Sequence, residues 1–339
     1  MSAHDLDGRL MRRFQAYVIA GTSENPSADF TTLAEQDLDS GDVTVRVDYS
    51  SVNYKDALAA TGKAPIIRRF PCVGGIDAVG TVVESSDPRY GRGDTVVVHS
   101  HGFGVSAHGG YAQVARAPAE WVSSVPDGLT ALEAITIGVA GYTAALAVDL
   151  CELNGLRPEK GKVLVNGATG GVGSIAIDIL SRQGFHVVAA TRKLDQAEYL
   201  RALGASEVVD AATLVTADRA LGTAVWQGAI DSLGGEPLAA LTKTVQKDGV
   251  IASIGNAAGV MFSTSVMPFI LRGVRLIGVN SDNDSTLRAR IWHRLATDLR
   301  PRHLAAVASV RPFEDLPAII QAVLAANIRG RSIIELPRD

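Results

Sequence analysis

The chain has little that would bind it together covalently or hold a metal through sulfur. Only two cysteines occur among 339 residues, Cys72 and Cys151, far apart and in no C-x-x-C pattern. Neither a disulfide framework nor a four-cysteine structural zinc site is expected from them. Charge of one sign is not in excess either: 32 basic against 36 acidic residues leave a net charge of −4, with no electrostatic footprint for nucleic acid. Charge blocks, low-complexity tracts and internal repeats are lacking. So is a long apolar run. The longest uncharged stretch, "AITIGVAGYTAALAV" at 134–148, is broken by Gly138 and Gly141. It falls short of the ~20 residues of a membrane span and reads as a buried helix. The opening "MSAHDLDGRLMRRF" carries no apolar h-region, so the expectation is a cytoplasmic protein without a signal peptide or membrane partner.

What is present is the composition of an ordinary soluble globular protein, with 47% apolar and 20% charged residues and enough length for two domains. The first 130 residues read mainly as strands and turns. "DVTVRVDYSSVN" alternates valine with polar residues, the period of a half-buried strand, and "GIDAVGTVVE" and "GDTVVVHS" are β-branched runs punctuated by glycine. "NYKDALAAT" is helical in character. From about Thr130 strands alternate with helices. "KVLVNGA", "HVVAAT", "SEVVD", "GAIDSLG", "GVIASIG" and "VRLIGVNS" read as strands, with "GSIAIDILSRQG" an amphipathic helix and "LDQAEYLRALGA" a second helix. That alternation implies a parallel sheet with crossovers. A final helix and strand in "RPFEDLPAIIQAVLAANIRGRSIIEL" are placed to return to the first domain. The expected plan is α/β: residues 1–133 with 306–339 form one domain, and 134–305 an inserted doubly wound domain.

The most specific local signal is "KVLVNGATGGVGSIAIDIL". Gly171, Gly173 and Ala176 fit G-x-G-x-x-[G/A] directly after a strand and at the start of a helix. Small residues let the backbone turn tightly and approach a pyrophosphate, which then faces the helix N-terminus and its macrodipole. Thr169, Gly170 and Val172 complete the candidate turn. About 20 residues on, where an NAD site carries an acid for the ribose hydroxyls, "VVAATRK" ends instead in Thr191, Arg192 and Lys193. An acid would repel a 2′-phosphate, whereas a guanidinium can grip it through two parallel bonds and a lysine adds a mobile charge. The expected cofactor is NADPH. Gly255 and Asn256 follow another strand of the series, and Asn280 and Ser281 follow the last. Ligands of open α/β sheets gather at such strand ends, so these four join the cofactor candidates.

Several segments together resemble the medium-chain dehydrogenase/reductase superfamily over nearly the whole chain. They are "VNYKDAL" (52–58), "GGIDAVGTV" (74–82), "GDTVV" (93–97), "GGYAQVA" (109–115), "GYTAALAV" (141–148) and "GATGGVG" (167–173). The resemblance implies a GroES-like β-rich catalytic domain beside a Rossmann NADP-binding domain. Zinc-dependent members place a cysteine where this chain has Asn53, and a Gly-His-Glu sequence where it has Gly75, Ile76 and Asp77. The four-cysteine lobe is also missing, so the chain is similar to the zinc-free quinone oxidoreductase branch. Within it, "VNYKDAL", "GIDAVG", "VMPFILRGVRLIGVNS" and "GRSIIEL" are most similar to the NADPH-dependent acrylyl-CoA reductase family. The first 13 residues are an extension that the resemblance leaves uncovered.

The chemistry so implied delivers a hydride to the β-carbon of an activated C=C bond and a proton to the α-carbon, with donors facing the carbonyl oxygen in between. The resemblance brings "VNYKDAL" near the nicotinamide. It makes Tyr54 the candidate to bond cofactor or substrate and to assist protonation, with solvent as the other proton source. Asn53 would orient the carbonyl or a ribose hydroxyl. Asp77 occupies the slot of the metal-coordinating pair, as a catalytic residue or as a support for its loop, and Thr143 would approach the nicotinamide end. For the phosphates of a CoA ester, Arg68, Arg69, Arg272, Arg275 and Arg288 are the cations at hand. "HSHGFGVSAHGG" gathers His99, His101 and His108, but the glycine-rich segment brings no evident fourth ligand, and no metal is expected. The reading that follows is a metal-free NADPH-dependent reductase of a short 2-enoyl thioester such as acrylyl-CoA. Its alternatives are an NADPH:quinone or α,β-unsaturated carbonyl reductase and a non-catalytic NADPH-binding redox sensor. The expected partner is a small-molecule substrate, and by analogy with relatives a second copy in a homodimer.

Overall fold

The computed structural model describes residues 13–214 and 219–338, so the N-terminal extension lies outside the described residues except for Arg13. The chain divides into two compact units. One holds the chain up to Val139 together with Ala308 onward; the other runs from Ala140 to Val307.

The second unit is built on a six-stranded parallel sheet. Across it the strands run Glu207–Asp210, His186–Thr191, Lys162–Val165, Trp226–Asp231, Val245–Ser253 and Arg275–Gly278. The first strand in the chain, Lys162–Val165, sits in the middle, and the order reverses between it and Trp226–Asp231. This is the topological switch point, where ligands of doubly wound sheets bind. Trp226–Asp231 is buried throughout, as a central parallel strand covered on both faces requires. Helix Gly171–Arg182 goes further than its amphipathic pattern implied, being buried continuously from Gly173 to Leu180. The helix after His186–Thr191 is shorter than expected. It covers Ala197–Ala202 behind a single 3₁₀ turn at Leu194–Gln196.

The first unit holds a seven-stranded sheet and a three-stranded one. Val43–Val52 is the hub of the larger sheet, pairing with Asp77–Ser85, Val114–Ala117 and the C-terminal strand Arg331–Glu335, all antiparallel. The alternating pattern of Val43–Val52 predicted one wet face; instead both faces are largely inside. The polar side chains are accommodated because each has a partner. Thr44 accepts from Arg116 Nε at 2.9 Å, Ser50 donates to the Asp77 carbonyl at 2.7 Å, and Asp48 accepts from Arg46 at 3.1 Å. A single apolar core, from Phe14 and Ile19 through Val96 and Tyr111 to Ile320 and Ile334, joins the two ends of the chain.

Helix Ala131–Leu153 spans the point in the chain where the first unit ends and the second begins, and is broken at Gly138, whose φ of 47° and ψ of −156° lie outside helical space. At 23 residues it is longer than the uncharged stretch and is apolar enough to cross a membrane by composition, but 89% of its apolar window is buried inside the protein. Among the described residues no other helix passes that test.

Candidate active site

Apart from Tyr54 and Thr143, the cofactor candidates fall along one edge of the parallel sheet in the second unit. Thr169–Gly173 follow Lys162–Val165; Thr191–Lys193 follow His186–Thr191; Gly255 and Asn256 follow Val245–Ser253; Asn280 and Ser281 follow Arg275–Gly278. All are at C-terminal strand ends. Helix Gly171–Arg182 starts at Gly170 with no side chain capping it, which leaves its first N–H groups for an anion. Gly173 is required by close approach: a Cβ there would stand 2.5 Å from the Gly167 carbonyl oxygen and 2.8 Å from the Ala168 Cα. Ser174 in the first turn donates to the Ala168 carbonyl at 3.2 Å and accepts from the Tyr199 phenol at 2.9 Å.

At the end of the second strand, Thr191 is buried and its hydroxyl accepts from the Lys193 backbone N–H at 2.9 Å. Lys193 is half-buried, and burial holds its ammonium below the usual lysine range, with Asp195 opposing. Arg192 is exposed, and its side chain has no hydrogen bond or ion pair among the described residues. Asn280 is less available. Its carboxamide is spent on its own turn, accepting from Asp282 N–H at 3.0 Å and donating to the Asp282 carbonyl at 3.1 Å. Thr143 is buried beside Tyr142, whose phenol donates to Asn283 at 2.7 Å and so ties the Asn280 loop to this helix.

Sequence reasoning missed the pair at the switch point itself. Asn166 and Asp231 end the two central strands, and the Asn166 amide donates to the Asp231 carboxylate. The Asn166 carbonyl oxygen accepts from Ser232 N–H at 2.7 Å, and Asp231 accepts from Gly234 N–H at 3.0 Å. Burial raises the Asp231 carboxyl above its ordinary value, while these donors favour its charge. The signal was "VNGA" and "IDSLG", two polar residues closing apolar strands. Their partnership is formed across 65 residues.

In the first unit, Tyr54 opens the helix Tyr54–Thr61, with Asn53 at its N-cap. The Tyr54 side chain is 41% exposed and its phenol makes no hydrogen bond among the described residues. The residue before it, Asn53, belongs to a largely buried polar network. The Asn53 carboxamide donates to Asp56 at 3.0 Å and accepts from Arg331 Nη1 at 2.6 Å, and the Asn53 backbone N–H donates to Asp56 at 2.8 Å. The second Asp56 oxygen accepts from Ile76 N–H at 2.9 Å. Burial and the neighbouring Asp77 push the Asp56 carboxyl up to about 7, against the donors from Asn53 and Ile76. Asp77 is fully buried. Its Oδ1 accepts from the Ser51 hydroxyl and from Asn53 Nδ2 at 3.4 Å, its Oδ2 from Arg331 Nη2 at 3.1 Å and Val139 N–H at 3.0 Å. Asp77, expected either among the catalytic residues or as a support for its loop, has no exposed surface and both oxygens occupied.

The arginines expected to meet a CoA ester are mostly spent elsewhere. Arg69 pairs with Asp39, Arg272 donates to the carbonyls of Gly222 and Lys243, Arg275 to that of Asp248, and Arg288 is buried. Arg68 alone of the five is exposed with its side chain unbonded among the described residues.

Known proteins are similar to this chain over nearly its whole length. The chain is 41% identical to YhfP of Bacillus subtilis, which carries a quinone oxidoreductase name, over 95% of this chain and 99% of that protein. It is 39% identical to the acrylyl-CoA reductase AcuI of Ruegeria pomeroyi, again over 95% and 99%. It belongs to the quinone-oxidoreductase-like branch of the medium-chain dehydrogenase/reductase family. Two domain families of this oxidoreductase superfamily match, the alcohol dehydrogenase GroES-like domain over residues 39–127 and the zinc-binding dehydrogenase over 171–297. The crystal structure of the yhdH oxidoreductase from Salmonella enterica, in complex with NADP, superposes with a TM-score of 0.92 at 40% identity, covering 95% of this chain and 100% of that one. The YhfP crystal structure, with NAD bound, gives a TM-score of 0.92 at 41% identity over 96% and 100%.

The zinc in one family description does not fit the residues present. A cation bound at Asp77 would have to displace the Arg331 guanidinium, and the other inward groups, Asn53 and Ser51, are poor zinc ligands. The three loop histidines are each used separately: His99 is buried against Ser100, His101 stacks on Trp121, and His108 Nδ1 accepts from Val73 N–H at 2.9 Å. Among the described residues no group of three or more His, Cys, Asp or Glu is set to hold a metal ion.

Proposed function

We propose that this member of the family is an NADPH-dependent reductase of an activated C=C bond, acting on a short 2-enoyl thioester such as acrylyl-CoA. The observation that carries the cofactor is the end of the strand His186–Thr191, where Thr191, Arg192 and Lys193 offer a hydroxyl and two cations, with Arg192 exposed and without a side-chain partner among the described residues. The substrate class is supported by AcuI of Ruegeria pomeroyi, a relative named for acrylyl-CoA. When bound, the nicotinamide supplies the hydride. Thr169–Gly173 and the start of helix Gly171–Arg182 hold the pyrophosphate, and Arg192 with Lys193 binds the 2′-phosphate. Gly255, Asn256 and Ser281 close around the rest of the dinucleotide. Tyr54 donates a hydrogen bond to the developing enolate oxygen or the proton to the α-carbon, so that one hydride and one proton saturate the bond. Asn53 acts from beneath, with Asp77 as its support. Arg68 is the cation left for a CoA phosphate.

A second reading, reduction of free quinones or α,β-unsaturated carbonyls, is supported by the name of YhfP. Steady-state assays with acrylyl-CoA and with benzoquinone, each with NADPH and NADH, separate the two. The expected result is turnover of the thioester at a kcat/KM well above that for the quinone, with NADPH preferred. Turnover of quinone alone would establish the second reading; NADPH bound tightly with no acceptor reduced would leave a redox sensor. The two buried, unpaired thiols, Cys72 and Cys151, suit the reducing cytoplasm in which we place the enzyme.

A further inference from the structure

The C-terminal strand Arg331–Glu335 pairs antiparallel with Val43–Val52, with Ser332 opposite Val52. That register carries Arg331 to the level of Asn53. Arg331 is 2% exposed and uses every nitrogen of its guanidinium. Nε donates to the Thr136 carbonyl at 3.1 Å; Nη1 to Asn53 Oδ1 at 2.6 Å; Nη2 to Ser51 Oγ at 2.7 Å, Asp77 Oδ2 at 3.1 Å and the Ile135 carbonyl at 3.4 Å.

One cation thus ties together three separate pieces of chain. The helix break at Gly138 frees the backbone groups around it: Val139 N–H, which an unbroken helix would send to the Ile135 carbonyl, goes to Asp77, and Arg331 serves the carbonyls of Ile135 and Thr136. The third piece is the helix start at Asn53. A carboxamide has two ends of nearly equal shape. Here Arg331, a pure donor, faces one end, and the carboxylates of Asp56 and Asp77 face the other. Only one orientation of the Asn53 amide satisfies all three. Buried ion pairs stabilise folds little, because the cost of desolvating two charges offsets their attraction. What this pair provides is geometry, delivered one residue before Tyr54, whose phenol has no hydrogen bond among the described residues.

We propose that Arg331 is the positioning residue of the reduction: by locking Asn53 and, through Asp77, the broken helix turn, it fixes the helix start from which Tyr54 meets the substrate. This rests on the reductase reading above for its catalytic consequence, though not for its structural one.

The test is Arg331→Lys, which keeps the charge and removes the fork. In protein labelled with 3-fluorotyrosine, the Tyr54 fluorine resonance is assigned by its loss in Tyr54→Phe. In Arg331→Lys that line is expected to shift or split while the lines of the other tyrosines stay in place. With the acceptor that the parent enzyme reduces, kcat is expected to fall at least ~10-fold with the KM for NADPH changed less than about twofold, and Tyr54→Phe added to Arg331→Lys is expected to cost little more. If Arg331→Lys does not fold, the pair Asp77→Asn with Arg331→Met, which leaves no lone buried charge, carries the same readouts. A folded variant with an unmoved Tyr54 line overturns the proposal, as does a kcat loss that multiplies with that of Tyr54→Phe. A parent enzyme that reduces no acceptor defeats the reductase reading instead, and the fluorine spectrum still decides the positioning.

Discussion

Arg192 stands at the end of its strand with no side-chain partner among the described residues, while Thr191 beside it is buried and Lys193 is half-buried. A charged hydrogen bond is worth about 1.5–3 kcal/mol. Arg192→Ala is therefore expected to weaken NADPH binding by about 10- to 100-fold and NADH binding by less than about twofold, measured by fluorescence titration. Equal loss for both nucleotides would remove the 2′-phosphate from the account. At this scale the sequence was informative wherever one residue's chemistry decides, as in the missing acid before Arg192. It said less of Arg331, whose only trace is a cation opening the buried run "RSIIEL". The partners that explain that cation, Ser51, Asn53 and Asp77, lie more than 250 residues away.

Elements were legible where their signals are local. The helix Tyr54–Thr61 announces itself through Asn53 and, three residues on, Asp56, the half of a capping box in which the acid receives the N-cap N–H. Its αL end at Gly62 was equally readable. In Ala131–Leu153 the sequence offers two interrupting glycines, Gly138 and Gly141, and only the structure decides that the helix breaks at Gly138. Gly138 leaves the helix so that its backbone can lie against the buried ion pair: a Cβ there would stand 2.5 Å from both Arg331 Nη2 and Asp77 Oδ2. Gly138→Ala combines that clash with a backbone conformation open essentially to glycine alone. It is expected to destabilise the protein by about 2–4 kcal/mol, read as a lowered urea midpoint at unchanged m-value. A midpoint within error of the parent would mean that the break is not set by this contact.

For the whole molecule, we propose a homodimer formed through the second unit. Arg275–Gly278 is an edge strand of the parallel sheet, with an outer side that no strand among the described residues pairs. The segment leading to it exposes Val260, Met261, Val266, Ile270 and Leu271, with Met261 82% accessible. An open edge beside contiguous apolar side chains suits a two-fold partner that covers both. Sedimentation equilibrium is expected to give the mass of two 35.5 kDa chains, and Met261→Glu with Ile270→Glu to give one. A monomeric parent at micromolar concentration would exclude the dimer.

Taken alone, the amino-acid sequence determined the family, the alternation of strands and helices from Thr130 onward, the phosphate-binding turn and the cationic end of the second strand. Each is written in neighbouring residues or in a fixed short period, and local sterics read them directly. Only the tertiary structure decided which polar groups are spent and which are free. It buried Asp77 under four donors, committed Asn280 and most of the arginines to backbone and local partners, paired Asn166 with Asp231, and brought Arg331 to Asn53, the residue before Tyr54. Those outcomes depend on strand register and on contacts between distant segments, and the chemical character of a single side chain cannot set either.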